Sequence, residues 1–402
     1  MGDWKLQKFK DVCTLDKSKK GNESLPYVGL EHIESNTGVF LGSKEHLEVK
    51  SSTFKFTKSH VLYGRLRPYL NKVLLPNFDG HCSSEIFPIM VNDKLEREFL
   101  YYWFINSTTV DKINATSTGA RMPRANMKAV LDFEIPIPPL EEQKQIVAIL
   151  DQAFAAIDQA QENIQQNIQN AQDLFQSKLN QIFSQQGEGW EERNLSDELL
   201  VKMIDGDRGK NYPKKADFLP EGHCVFMNTG NVRTNGFDFK NVMFISEERD
   251  NLLRKGKLQR DDVVMTTRGT IGNLGWYNSE VKYDHIRINS GMLIFRVNRE
   301  EILPEYLFSL FRSPVVTKQI LDMTSGAAQP QLPIKTLVKF KIPVNPDLTE
   351  QKKMVVKIQQ MELMQEELLS TYQNKILNLE ELKKSLLQKA FNGELTQSKR
   401  AA

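Results

Sequence analysis

The side chains best suited to act on a partner are arginines that follow short apolar runs, and the chemistry they offer is recognition. Arg65 and Arg67 follow Val61–Tyr63, and if that segment is extended both point to one face. Arg268 follows an equivalent run and enters a glycine-rich loop with Thr270, Thr267-Arg268-Gly269-Thr270-Ile271-Gly272, able to approach a backbone closely. Arg121, Arg124 and Lys128 form a basic stretch after Gly119, and Gln329, Gln331 and Lys335 lie in the matching region later in the chain. Forked donors suit base edges in a groove, whereas lysines and hydroxyls suit phosphates. For Arg65, Arg67 and Arg268 the competing reading is a structural arginine pairing a local acid or carbonyl. For the two loop groups it is packing ahead of a long helix. Asp205 and Asp207 offset Arg208 and Lys210, which reads as a solvated loop, and the run Lys17 to Lys20 reads as exposed.

Bond-making chemistry finds no matching pattern. A base methyltransferase needs a glycine-rich loop for its methyl donor and an Asn/Asp-Pro-Pro-aromatic loop for the flipped base. Ile137-Pro138-Pro139-Leu140 lacks both the polar residue and the aromatic. No Gly-x-x-x-x-Gly-Lys-Ser/Thr loop is written, so no nucleotide-driven motor is expected. Glu142-x-Lys144 and Glu350-x-Lys352 match a metal nuclease only superficially, because both open helices, where acids favour the dipole. His32, His46, His60, His81, His223 and His285 show no two-ligand helical spacing, so metal binding is not expected. Cys13, Cys82 and Cys224 form no Cys-x-x-Cys pair and read as reduced, structural thiols.

The elements that must position the arginines are written twice. With a shift of 207, Gly119 pairs with Gly326, Pro123 with Pro330, Lys128 with Lys335, Phe133 with Phe340, and Ile135-Pro136 with Ile342-Pro343. After a one-residue insertion, Glu142-Gln143-Lys144 pairs with Glu350-Gln351-Lys352. Upstream, Trp4, Phe9 and Asp11 match Trp190, Leu195 and Asp197. Each repeat ends in a long helix. From Leu140 to Ser184 there is no proline or glycine, and Val147, Leu150, Phe154, Ile157, Ile164, Ile168, Ala171, Phe175 and Ile182 keep a coiled-coil seam. Gln161 and Lys178 interrupt it. The second copy uses Val355, Ile358, Leu369, Tyr372, Ile376, Leu379, Leu386 and Ala390, with Glu362, Gln365 and Lys383 as polar breaks. Pro139 suits a first turn, Asp347 with Glu350 resembles a capping box, and Gly187 and Gly393 sit where helices stop.

An apolar stripe left in water would be costly, and the obvious cover is the other copy, running antiparallel because a whole domain separates them. About 44 residues would make a rod of roughly 65 Å with a domain at each end. The sequence therefore predicts an α+β fold: two similar small α/β domains separated by two long antiparallel coiled-coil helices, related by a pseudo-twofold internal repeat. The divisions fall at 1–138, 139–186, 187–346, 347–393 and 394–402. Expected strands include His60–Tyr63, Asp262–Thr266 and Met292–Val297, and expected helices Arg97–Asn106 and Pro304–Arg312. With 402 residues, 40% hydrophobic and 26% charged, the chain has the length for two domains. A net charge of +2 does not by itself mark a nucleic-acid binder. No apolar run is long enough to span a bilayer and no signal-peptide core is present, so a cytoplasmic location is expected.

These features together resemble the specificity subunits of type I restriction-modification systems. The resemblance covers the whole length and rests on the duplicated domain-helix plan and on Ile135-Pro136-x-Pro138-Pro139-Leu140-x-Glu142-Gln143. It rests also on Thr267 to Gly272, on Gly326-Ala327-Ala328-Gln329-Pro330-Gln331-Leu332, and on Leu386-x-x-Lys389-Ala390-Phe391-x-Gly393-x-Leu395. The first repeat departs from the pattern, with Gly64-Arg65-Leu66-Arg67 against Thr267-Arg268-Gly269-Thr270, and Arg121-Met122-Pro123-Arg124 against Ala328-Gln329-Pro330-Gln331. The resemblance implies a non-catalytic subunit of an adenine-N6 DNA methyltransferase and restriction endonuclease complex. Each domain would read one half of a split double-stranded DNA site, with the helices as spacer. Two methyltransferase subunits would dock on the helices and restriction subunits would join them. S-adenosylmethionine, ATP and Mg²⁺ would belong to those partners, with no cofactor on this chain. A coiled-coil scaffold that reads no DNA and an orphan DNA-binding regulator are the alternatives.

Overall fold

The computed structural model describes residues 4–19, 24–47, 49–185, 187, 189–324 and 330–396, in two units. Unit 1 comprises Met1–Gln165 and Tyr372–Ala402, and unit 2 comprises Gln166–Thr371.

In unit 1 an antiparallel sheet runs in the order Cys13–Leu15, Ile86–Val91, Val61–Gly64, Val73–Leu74. All four residues of Val61–Gly64 are buried, because the strand is covered on both faces. Alternation along the strand sends Val61 and Tyr63 to a core with Phe99 and Phe104 of the helix Arg97–Ile105. Leu62 goes to a second core with Val28, Phe56 and Cys82. That second core belongs to a three-stranded sheet, Tyr27–Val28, Gly80–Ser83, Thr53–Phe56. Lys5–Lys8 pairs with Glu134–Ile137 and closes the unit.

Unit 2 repeats the plan. Its four-stranded sheet runs Val201–Asp205, Met292–Val297, Val263–Thr266, Leu274–Trp276, and Val263 and Met265 face one core while Val264 faces another. The helix Pro304–Phe311 occupies the place of Arg97–Ile105. One divergence lies in the smaller sheet. In unit 1 the third strand, Thr53–Phe56, pairs with Gly80–Ser83, whereas in unit 2 Phe244–Ile245 pairs with Cys224–Met227. Only a single bridge, Lys257 to Arg287, stands where Lys55 pairs with His81 in unit 1.

The long helices are Leu140–Ser184 and Leu348–Phe391. Asp347 caps the second by accepting the Thr349 N–H at 2.7 Å. Gly393, at φ +75°, ends it: its N–H reaches the Ala390 carbonyl and that of Glu394 the Lys389 carbonyl, the paired bonds of a Schellman motif. Within unit 1 the helices run antiparallel, Ile146 and Leu150 sharing a core with Leu387, Ala390 and Phe391, while Lys383 pairs with Asp158 further along. Within unit 2, Phe175, Leu179 and Phe183 share a core with Val355 and Ile358, and Gln365 Nε2 donates to the Ala171 carbonyl. Of the polar breaks in the seam, Lys383 and Gln365 thus reach the opposite helix, while Glu362 pairs with Arg312.

The repeated Glu-Gln-Lys owes its recurrence to the glutamine. Gln143 is fully buried; its Oε1 accepts the Glu96 N–H at 2.8 Å and its Nε2 donates to the carbonyls of Lys94 and Pro138. Gln351 makes the same three bonds, to the Leu303 N–H and to the carbonyls of Glu301 and Asn345. One amide therefore ties the start of each long helix to the turn before the short helix, satisfying three backbone groups that are buried or partly buried. Gln143→Ala or Gln351→Ala should cost at least ~2 kcal/mol by leaving those groups unmet. Denaturant unfolding checks this, and an unchanged midpoint would contradict it.

Candidate nucleic-acid interface

In both units the strand at the centre of the four-stranded sheet ends in a loop that is stitched by backbone bonds to the segment preceding the long helix. In unit 1 the Arg65 N–H donates to the Glu85 carbonyl, the Ala125 N–H to the Arg65 carbonyl, and the Arg67 N–H to the Pro123 carbonyl, while Leu66 bridges Arg124. In unit 2 the Thr267 N–H donates to the Gly291 carbonyl and the Leu332 N–H to the Thr267 carbonyl, while Arg268 bridges Gln331. The weave sets the correspondence and corrects the one read from sequence by one residue. Arg65 matches Thr267, Leu66 matches Arg268, and Arg67, at φ +52°, matches Gly269, at φ +72°. Arg67 is left-handed, so the stretch is not extended and Arg65 and Arg67 do not share a strand face.

Side chains on this common frame differ sharply. Glu85 of unit 1 stands where unit 2 has Gly291, and its carboxylate takes two arginines. Arg65 Nε donates to Glu85 Oε2 at 2.9 Å, with the guanidinium 5.3 Å from the Phe87 ring centroid. Arg124 donates through Nε at 3.0 and 3.1 Å and lies 3.0 Å away through Nη2, with Nη1 3.4 Å from the Met122 carbonyl. Burial raises the Glu85 carboxyl, but the hydrogen bonds and charges of Arg124 and Arg65 outweigh it and hold it below the usual carboxylate range. Arg67, Arg121 and Lys128 are exposed, and among the described residues their side chains have no hydrogen-bond or ion-pair partner. Lys128 lies in the first turn of the short helix Met127–Val130, whose backbone is capped by Asn126.

In unit 2, Arg268 and Gln331 are brought together at a concavity of about 190 Å³, with Asp205, Arg208, Thr267 and Ile334. Both are exposed, and the Arg268 guanidinium has no partner among the described residues. Thr270 is exposed too; its carbonyl accepts the Thr266 hydroxyl, which tightens the loop. Lys335 is exposed on Ile334–Leu337 and lines neither this concavity nor its neighbour. Gln329 lies outside the described residues.

The loop expected to be merely solvated is anchored. Asp207 is buried, its Oδ1 accepting the Gly209 N–H at 2.7 Å and its Oδ2 the Arg254 N–H at 2.7 Å and the Lys255 N–H at 3.4 Å. Burial raises its carboxyl, yet these backbone donors more than offset the effect and leave it low. This joins Gly206–Lys210 to Arg254–Lys255 around a concavity of about 290 Å³ that shares Asp205 and Arg208 with the first. Arg208 pairs with Asp205 at 3.0 Å. Lys210, Arg254 and Lys255 point no charge at any described acid, and sequence reasoning missed the last two. Their only signal was adjacency in Leu253-Arg254-Lys255-Gly256, far from the loop they complete.

The three cysteines are buried, and burial pushes the Cys13 and Cys224 thiols up to about 12, so neither is a nucleophile at neutral pH. Among the described residues no group of three or more His, Cys, Asp or Glu could hold a metal ion, and no helix is long and apolar enough to cross a membrane.

Comparison with known proteins places this architecture. The sequence model of the type I restriction modification DNA specificity domain matches residues 1–170 and again 187–378. The chain is 31% identical to the EcoDI specificity subunit of a type I restriction enzyme from Escherichia coli, over 53% of this chain and 51% of that one. It therefore spans about half the length of that relative. Among solved structures it is similar to the HsdS subunit from Thermoanaerobacter tengcongensis, with TM-score 0.61 and 22% identity over 98% of both chains. It is similar also to a chain from a structure concerned with assembly and conformational transition of the type I R-M system, with TM-score 0.83 and 21% identity over 98% of this chain and 99% of that one. Both likenesses carry the fold.

Asp207 and Glu85 have lowered values in the folded chain, so the stability they add is in place above the ordinary carboxylate range and is lost as pH falls through the lowered values. Asp207→Asn should cost about 1–3 kcal/mol at pH 7 and flatten the decline in melting temperature between pH 7 and 3. A variant whose melting profile parallels that of the parent chain would show that the anchor does not act this way.

Proposed function

Because the chain belongs to the type I restriction-modification DNA specificity family, we propose that each of its two units reads one half of a split double-stranded DNA site. The observation that supports this reading is the frame common to both units. The same bridge, Leu66 to Arg124 and Arg268 to Gln331, stands at the end of a buried strand in each unit and sets there exposed Arg268 and Gln331 in unit 2, and half-buried Arg124 beside exposed Arg67 in unit 1. A site on rigid backbone reads bases better than one on a free loop.

In unit 2, Arg268 and Gln331 are the base readers, since guanidinium and carboxamide groups match the paired donors and acceptors of guanine and adenine edges. Lys210, Arg254 and Lys255 hold phosphates, together with Thr270 and with Lys335 of the short helix Ile334–Leu337, and Gln329 is a further DNA contact. In unit 1, Arg65 faces the bases while Arg67, Arg121 and Lys128 meet the backbone, and Arg124 is spent on Glu85. The long helices fix the gap between half-sites and dock two methyltransferase subunits, which restriction subunits join. S-adenosylmethionine, ATP and Mg²⁺ are held by those partners. This chain supplies no catalytic group; it delivers the others to an address.

A mobility-shift series with the assembled methyltransferase tests the proposal. The complex should prefer genomic fragments containing its site over random DNA, and a complex without sequence preference would reject DNA reading. Tight specific binding by the chain alone would point instead to a regulator. Arg268→Ala should lose about 1–3 kcal/mol of discrimination at one base position. Lys255→Ala should weaken all sequences alike and reduce the slope of log K against log salt by about one. Deleting one heptad from Leu140–Ser184 should change the spacer or abolish modification; an unaltered spacer would remove the helices' ruler role.

A further inference from the structure

Unit 1 contains a guanidinium that is immobilised yet not used up. Arg65 commits only Nε to Glu85, at 2.9 Å, and lays its plane near the Phe87 ring, 5.3 Å from its centroid. Neither of its terminal nitrogens makes a hydrogen bond among the described residues. Its side chain is 33% exposed, so the tip reaches solvent while the stem is held. Arg124 is the opposite case: Nε and Nη2 both lie on Glu85 and Nη1 faces the Met122 carbonyl, so no pair of donors remains. Two arginines on one carboxylate leave the cluster with a local excess of one positive charge, which a polyanion would favour.

We propose that Arg65 reads guanine at a single position of the half-site met by unit 1, and that Glu85 is the positioning residue that aims it. The inference rests on the DNA-reading role proposed above. Guanine is the base that offers two adjacent acceptors, O6 and N7, in the major groove, and the free Nη1–Nη2 edge of a fixed guanidinium matches them. Adenine places a donor beside its acceptor, which the fork repels. Because Glu85 and Phe87 already hold the side chain, little freedom is lost when the base is bound. Unit 2 has no such device, as Thr267 stands in the place of Arg65 and Gly291 in that of Glu85.

The experiment is methylation mapping with the full chain assembled with its methyltransferase subunits, comparing the parent with Arg65→Ala, Arg65→Met, Glu85→Gln and the double variant Arg65→Ala/Glu85→Gln. Arg65→Ala and Arg65→Met should lose guanine selection at one position by about 10- to 100-fold, with the other half-site unchanged. The methionine variant keeps an apolar stem against Phe87 without a donor, so it guards against a folding failure of the alanine variant. Glu85→Gln should weaken selection at that same position, and should add nothing once Arg65 is absent, an epistasis that a purely structural role would not produce. Retained guanine selection in a folded Arg65→Met complex would overturn the proposal, as would a position that never specifies guanine. If the parent complex reads no split site, the DNA-reading role itself fails; if it reads one that the Arg65 variants leave unaltered, only this inference falls.

Discussion

Each long helix carries an apolar stripe that water will not tolerate, and in each unit the cover for it is the other helix running the opposite way. That requirement decides how the chain is used. The core of unit 1 is incomplete until Leu387, Ala390 and Phe391 return to Ile146 and Leu150, more than two hundred positions earlier. Trp4 then lies against Gly393, and Thr396 bonds Glu142 inside the same unit. Contacts of such sequence separation are slow to form because loop closure is paid before they reward it. The buried glutamines Gln143 and Gln351 complement the seam, since each fixes where a long helix starts relative to the sheet beneath it.

A backbone frame repeated in this way leaves side chains free to diverge. The stitches at Arg65, Glu85 and Ala125 recur at Thr267, Gly291 and Leu332, though the residues share nothing in charge or size. Carboxylate against glycine at one position of the frame converts two arginines into a rigid cluster in one unit and leaves an arginine and a glutamine open in the other. Recognition can therefore change while the scaffold stays, which is how one fold comes to serve many sites.

Much of the scaffold was legible in the sequence. The strand Met292–Val297 and the helices at Arg97 and Pro304 fall where apolar runs and turn residues put them, and the seam residues lose exposure, though Ile146, Leu179, Phe183 and Leu387, outside the expected seam, are buried as well. The site was less legible for physical reasons that can be named. Between the loop and the strand it is stitched to, unit 2 carries extra residues, Thr267 bonding Gly291 where Arg65 bonds Glu85, so the shift that aligns Arg124 with Gln331 does not hold at Arg65, and matching it to Arg268 by residue type missed its true counterpart, Thr267. Charge counting treated Asp207 as a neutraliser of nearby cations, whereas its carboxylate is spent on backbone N–H groups brought from Arg254 and Lys255. Glu85 carried no local signal at all. An isolated acid becomes informative only when the fold sets it between two arginines that lie twenty residues before it and thirty-nine after.

Two readers on one chain, each with its own side-chain chemistry, form the claim on which the functional account stands. Genome-wide mapping of methylated adenines in cells with and without this gene tests it most directly. The account expects one motif that depends on the gene and consists of two fixed half-sites separated by an unspecified gap of constant length. A continuous motif, a gap of variable length, or a methylation pattern indifferent to the gene would contradict it.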